Sequence, residues 1–248
     1  MSLARRHREF TLAAQAAALA ASVALEGTAP PMPTEGAAAS EYQQLLIALG
    51  EDRRQLQSIQ STEGKIALKH TLIGRYRAWV EGAISAATAA QDEIVARMFT
   101  WAVDVADWPY ALEIARHVLA HGLAMPEGFK RAPAVYLAED IATAGLGPVI
   151  TVDLETLQAT AALTEAHDMP DQVRAKLEKA LGIAFRTAAE NFDVEAESAV
   201  AGGLPALVEA ALSHFNRAVE LDKNSGVKKS IEALERQLKN LTPAGEQA

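Results

Sequence analysis

Stretches in which apolar and polar residues alternate are almost absent from this chain, and that absence limits its fold more than any motif does. A half-buried strand needs period-two patterning, and Val/Ile/Thr-rich alternation of that kind hardly occurs. Half of the residues are apolar, but alanine dominates them and aromatics make up only 5%. Alanine favours helix and lets neighbouring backbones approach closely. The expected fold is all-α, and 248 residues suffice for one large domain or two small ones.

The first residues pass from a basic start, Arg5, Arg6 and Arg8, into an alanine-rich stretch that superficially resembles a signal peptide. Glu9 and Gln15 interrupt it, and alanine is only weakly hydrophobic, so a frayed or amphipathic N-terminal helix is the better reading. Residues 26–40 are rich in Pro, Gly and Ala and read as a flexible linker. Ser40 then offers an N-cap to a helix whose apolar residues Tyr42, Leu45, Leu46, Leu49, Leu56 and Ile59 recur at helical spacing. Ser61 or Thr62 can cap a second helix carrying Leu72, Ile73, Tyr76, Trp79 and Val80, which extends to about Ala90. The expected organisation is an arm and linker over 1–39, a helical hairpin over 40–90, a helical domain over 91–241 and a tail over 242–248.

The Trp108–Pro109 pair sits between two helical patterns. Proline disfavours helix in the residue before it but suits a helix's first turn, where its missing N–H is no loss. Asp107 or Trp108 therefore caps a new helix, Gly122 ends it, and Pro126 prevents its continuation. This corner predicts two antiparallel helices resembling one tetratricopeptide unit. A second, degenerate unit is suggested by Leu181, Gly182 and Phe185, followed by Ala211, Phe215, Ala218, Leu221 and Asp222. Small residues there let two helices approach while an aromatic ring fills the gap. An acidic insertion over 189–203 and Lys223 in a place usual for proline depart from the repeat pattern. Two units are fewer than a free-standing solenoid needs. Residues 154–166 read as a further helix, and 228–241 as a closing one.

Candidate chemistry is sparse. Glu113, His117 and His121 share one helix face, but no zinc-enzyme context surrounds them. The expectation is an exposed Glu113–His117 pair, with His121 complementing the helix dipole. The Gly145–Leu146–Gly147–Pro148 stretch lacks the Lys-Ser/Thr of a phosphate loop, and no nucleophile–base set stands out. No catalytic group, metal or cofactor is expected. With no cysteines, disulfides and thiolate metal sites are excluded.

The informative feature is a basic cluster. Arg53, Arg54, Lys65, Lys69, Arg75 and Arg77 lie in and around the hairpin, with Ser58, Gln60, Ser61 and Thr62 at its turn. Cations on one side, short polar groups and a helix N-terminus are what phosphate contacts use. Arg5, Arg6 and Arg8 offer secondary contacts. A net charge of −9 does not oppose this, because screening acts over about 10 Å and charge must be judged locally. The strip from Leu137 to Gln172 holds seven acids and no Lys or Arg, so nucleic acid is not expected there.

Several stretches, Asp107–Arg116 with the following Gly122–Pro126 above all, occur in an order and spacing that resemble the small terminase subunits of temperate P-two-like myophages. The similarity covers roughly Tyr42 to Leu241. It implies a protein that recognises the packaging site on viral double-stranded DNA and works in the host cytoplasm. It also implies a homo-oligomer that recruits the large subunit carrying the ATPase and nuclease, with no role at a membrane. The rival expectation is a helical scaffold that contacts only proteins. The terminal residues 242–248 lack a basic extension, so any DNA contact must lie elsewhere.

Overall fold

The computed structural model describes residues 2–21, 29–86, 88–193 and 203–241. Among them the ordered elements are helices, and the one strand-like feature is an isolated bridge between Pro31 and Gln91. The chain divides into two compact units, Met1–Pro133 and Ala134–Ala248.

The first unit contains α1 (Leu3–Ala21), α2 (Gly36–Ser58), α3 (Thr62–Ser85), α4 (Glu93–Asp104) and α5 (Trp108–Ala120). The helix expected at the start of the arm forms from the third residue, and it is packed rather than frayed. Glu9, Leu12, Ala13, Ala16, Ala17 and Ala20 fall on one face of α1 and are buried. The approach to α3 is near-contact of backbones: a Cβ on Gly82 would lie 2.2 Å from the Phe10 carbonyl oxygen. The weak hydrophobicity of alanine is offset by this closeness, which brings many atoms into van der Waals range. Thr88 Oγ1 further donates to the Ala17 carbonyl at 3.0 Å.

Helix α2 begins four residues before the expected cap. Ala37, Ala38 and Ala39 carry the helix back to Gly36, and the Ser40 hydroxyl donates to the Gly36 carbonyl within it. Ser61 does cap α3, accepting the Gly64 N–H at 3.2 Å. Part of the expected linker is pinned as well. The Gln91 N–H donates to the Pro30 carbonyl at 2.7 Å, while its side-chain amide makes two bonds to the Ala124 backbone. The core is built around Trp79, which stacks on Tyr42 with ring centroids 5.6 Å apart and donates its indole N–H to Asp92 at 2.7 Å. Tyr76 meets Trp101 edge-on at 6.2 Å.

The corner between α4 and α5 forms as its local chemistry dictates. Asp107 accepts the Tyr110 N–H, and Pro109 occupies the first turn of α5. The helix before it ends with Asp107 N–H to the Ala102 carbonyl and Ala106 N–H to the Val103 carbonyl. Helix α5 ends the same way, with Leu123 N–H to Val118 and Gly122 N–H to Leu119. Both endings need a left-handed residue, and they fill it differently: Gly122 has φ +63°, whereas Ala106 holds φ +58° despite its Cβ.

The second unit contains α6 (Pro133–Leu146), α7 (Leu154–Thr164), α8 (Asp171–Glu190), α9 (Gly203–Leu221) and α10 (Lys228–Leu241). Asp153 caps α7 by accepting the Thr156 N–H at 2.7 Å. The expected small-against-aromatic packing occurs where α8 meets α9. A Cβ on Gly182 would lie 2.5 Å from the fully buried Phe215 ring, so the helices meet there only because position 182 carries no side chain. Val227, Ile231, Leu234, Leu238 and Leu241 close this core from the α10 side. Of the expected acidic insertion, residues 194–202 lie outside the described residues, as does the tail 242–248.

Candidate nucleic-acid interface

The α2–α3 hairpin splits its six cations into two groups. Arg53 and Arg54 lie exposed on the last turns of α2, and half-buried Lys65 lies on the first turn of α3 across the short connection 59–61. Among the described residues none of the three is in an ion pair; Arg54 only donates to the Gly50 carbonyl of its own helix. The turn between them carries the polar groups that were expected there. Ser61 faces the first amides of α3, and Gly64 leaves room for that cap, since a Cβ would lie 2.8 Å from Ser61 Oγ.

The other three cations are tied to carboxylates. Lys69 Nζ pairs with Asp104 at the end of α4. The Arg75 guanidinium grips both oxygens of buried Asp52 at 2.8 Å, and Asp52 also accepts the Tyr76 hydroxyl. Arg77 pairs with Asp107 at 3.2 Å and lies over the Tyr110 ring, 4.1 Å from its centroid. Asp107 thus caps α5 and anchors α3 with the same carboxylate. These contacts bind α3 to α2, α4 and α5. At each of them a phosphate would compete with a carboxylate already in place, and each also helps to position the hairpin. Asp52 comes from the same hairpin, 23 residues from Arg75, and so was open to view as its neighbour. Asp104 and Asp107 were not, because they lie 35 and 30 residues from their partners.

The N-terminal cations divide similarly. Arg5 donates to buried Glu9 at 2.8 Å, and Arg8 lies 3.4 Å from buried Glu41, although both arginines stay more than half exposed. Arg6 is in no ion pair among the described residues. It edges a groove of about 750 Å³ between α1 and α3, where Leu3, His7 and Phe10 face Gly74, Arg77 and Glu81.

The row Glu113–His117–His121 does not come together as a ligand set. Glu113 is exposed, whereas His117 is buried, so the expected exposed Glu113–His117 pair is replaced by a core histidine against the His121 ring at 4.8 Å. Burial, reinforced by that neighbouring ring, lowers the His117 pKa to about 4. Among the described residues no group of three His, Cys, Asp or Glu side chains is placed to hold a metal ion. None of the described helices is long and apolar enough to cross a membrane.

Comparison with known proteins gives this geometry a context. The family model described as phage small terminase subunit matches residues 46–172, which hold both the turn with Lys65 and the α4–α5 corner. The "Terminase, endonuclease subunit" of Escherichia phage P2 is 39% identical over 204 residues, covering 81% of this chain and 76% of that protein. No solved structure matches. A match of that identity over four-fifths of the chain, together with the family match across its centre, leaves one conclusion: this all-α chain belongs to the phage small terminase subunit family and has a role in DNA packaging.

Proposed function

We propose that this protein docks on viral duplex DNA at the packaging site through the open end of the α2–α3 hairpin. Arg53, Arg54 and Lys65 make the phosphate contacts, and Arg5, Arg6 and Arg8 at the start of α1 add weaker ones. The observation carrying this reading is the pairing pattern. The turn's three cations have no carboxylate partner among the described residues, while Lys69, Arg75 and Arg77 farther along are engaged. Cations already paired with carboxylates release fewer counterions when DNA arrives than open ones do.

The binding face of one copy is small. Assembly into a homo-oligomer would repeat it and multiply a weak affinity into a useful one. The assembled copies would recruit the large terminase subunit, to which we assign ATP hydrolysis and DNA cutting. The phage P2 relative is named an endonuclease subunit. On our reading that activity belongs to the joined subunits rather than to residues of this chain. The site of action is the host cytoplasm, where viral DNA is packaged.

Titration of the packaging-site duplex at several salt concentrations tests the proposal. We expect the logarithm of the affinity to fall steeply with the logarithm of salt, and Arg53→Glu/Lys65→Glu to reduce that slope by about two units. Salt-independent binding, or none in an oligomer that still captures the large subunit, would support a protein-only scaffold instead.

A further inference from the structure

A second cationic surface lies in the 134–248 unit, in a place the sequence does not advertise. Helix α10 begins with Lys228 and Lys229, both exposed, and its first turn contains no acid. That order is electrostatically unfavourable, because a helix N-terminus already carries a partial positive charge. The residue before it, Val227, has no side chain that could cap the helix; its carbonyl instead accepts the Ser230 and Ile231 amides. Exposed Lys223 stands on the preceding turn.

Two more cations reach the same turn from α8. Lys179 Nζ donates to the Ser225 carbonyl at 2.8 Å, and Arg186 donates to the Ser230 hydroxyl at 3.3 Å. Five cations from three chain segments therefore meet around 223–230. The acids nearby are partly occupied: Asp222 accepts the Asn224 amide, and Glu190 lies 3.5 Å from Arg186. Glu232 stands one turn beyond Lys228, yet among the described residues Lys223, Lys228 and Lys229 are in no ion pair. Among the described residues the buried Ser225 hydroxyl at this turn has no hydrogen-bond partner, while Arg186 Nε faces the Glu190 carboxylate. The large exposed hydrophobics of the described residues lie elsewhere, so the surface offers an apolar partner no anchor.

We propose that Lys179, Lys223, Lys228 and Lys229 form a second phosphate-binding site that takes the backbone of duplex DNA. The inference rests on the DNA-docking reading above but uses different residues in a different unit. Ammonium groups at a helix N-terminus without a side-chain cap suit phosphate oxygens and read no base, so this site adds affinity without sequence preference.

The test compares two double variants of the full chain on a labelled random-sequence duplex. Lys228→Glu/Lys229→Glu is expected to weaken binding at least tenfold at low salt and to lower the salt slope by about two units. Its melting temperature is expected to hold or rise, since carboxylates suit a first helical turn. Wild-type affinity and slope in this variant, with loss in Arg53→Glu/Lys65→Glu, would reject the second site and leave the hairpin reading standing. The reverse pattern would support the second site and reject the hairpin. Titration with inorganic phosphate, followed by the backbone amide signals of residues 228–231, supplies a further arm. A response to free phosphate but none to duplex would overturn the proposal by assigning the site to a small anion.

Discussion

The two ends of α3 carry the same kind of side chain and put it to different uses. At the turn, Lys65 stands opposite Arg53 and Arg54 with no carboxylate partner among the described residues. Farther along, Lys69, Arg75 and Arg77 each meet an aspartate from another element. The difference lies in what the fold brings alongside. A cation counts toward a ligand only after the carboxylates delivered by neighbouring helices have been subtracted. The basic cluster, read along the chain, overstates the open charge twofold.

The largest expected effect tests the engaged end. Arg75→Glu removes the partner of buried Asp52 and places a second carboxylate against it. We expect a loss of about 3 kcal/mol of stability, read as a lower urea midpoint at unchanged slope. A midpoint within error of wild type would show that Arg75 is free and that the two ends do not differ.

Next in size is an acid response that belongs to the core, independent of either set of cations. His117 has its pKa lowered to about 4, first by burial and then by His121. Between about 6.5 and 4 the unfolded chain therefore binds the extra proton, and stability falls as pH falls. Asp92 works in the opposite sense. Burial pushes its pKa up to about 6 despite the Trp79 and backbone hydrogen bonds that lower it. The folded state then holds the extra proton above the carboxyl's ordinary range, and stability falls as pH rises through that window. The two terms oppose each other, which hides both. In His117→Gln the histidine term disappears, and the stability difference from wild type should shift by on the order of 2 kcal/mol between pH 6.5 and 4. A constant difference across that range would mean that His117 is solvated.

Ala106 gives a smaller effect of the opposite sign. Its φ of +58° places an alanine where Gly122 serves the equivalent role after α5. Ala106→Gly should stabilise the fold by about 1 kcal/mol, seen as a higher melting temperature. Smallest of all is Lys69→Met. Its ion pair with Asp104 is partly exposed, so the expected loss is below about 1 kcal/mol.

These cases also show which parts of the molecule could be read from its sequence. The α4–α5 corner was legible because Asp107, Pro109 and Gly122 act within a few residues of themselves. The Gly182–Phe215 contact was legible because each residue type has one packing role at that spacing. The start of α2 was not, since three alanines carry a helix past any cap that Ser40 offers. The docking of α1 was hidden for a related reason: an alanine face has little hydrophobic signal, and its complement, Gly82, lies some seventy residues away. Of the candidate interface, the cations themselves were visible, but Asp104 and Asp107 became their partners only through folding. The lysines of the α9–α10 turn did not read as a cluster because Lys179 and Arg186 join them from another helix only on folding.

The most direct measurement is the salt dependence of packaging-site DNA binding in matched variants of the two ends of the hairpin. Neutralising Arg53 and Lys65 with glutamine should lower the slope by about two units with no loss of thermal stability, whereas neutralising Lys69 and Arg77 should leave the slope nearly unchanged. Equal slopes in wild type and the turn variant, or a larger drop in the Lys69/Arg77 variant, would contradict the account.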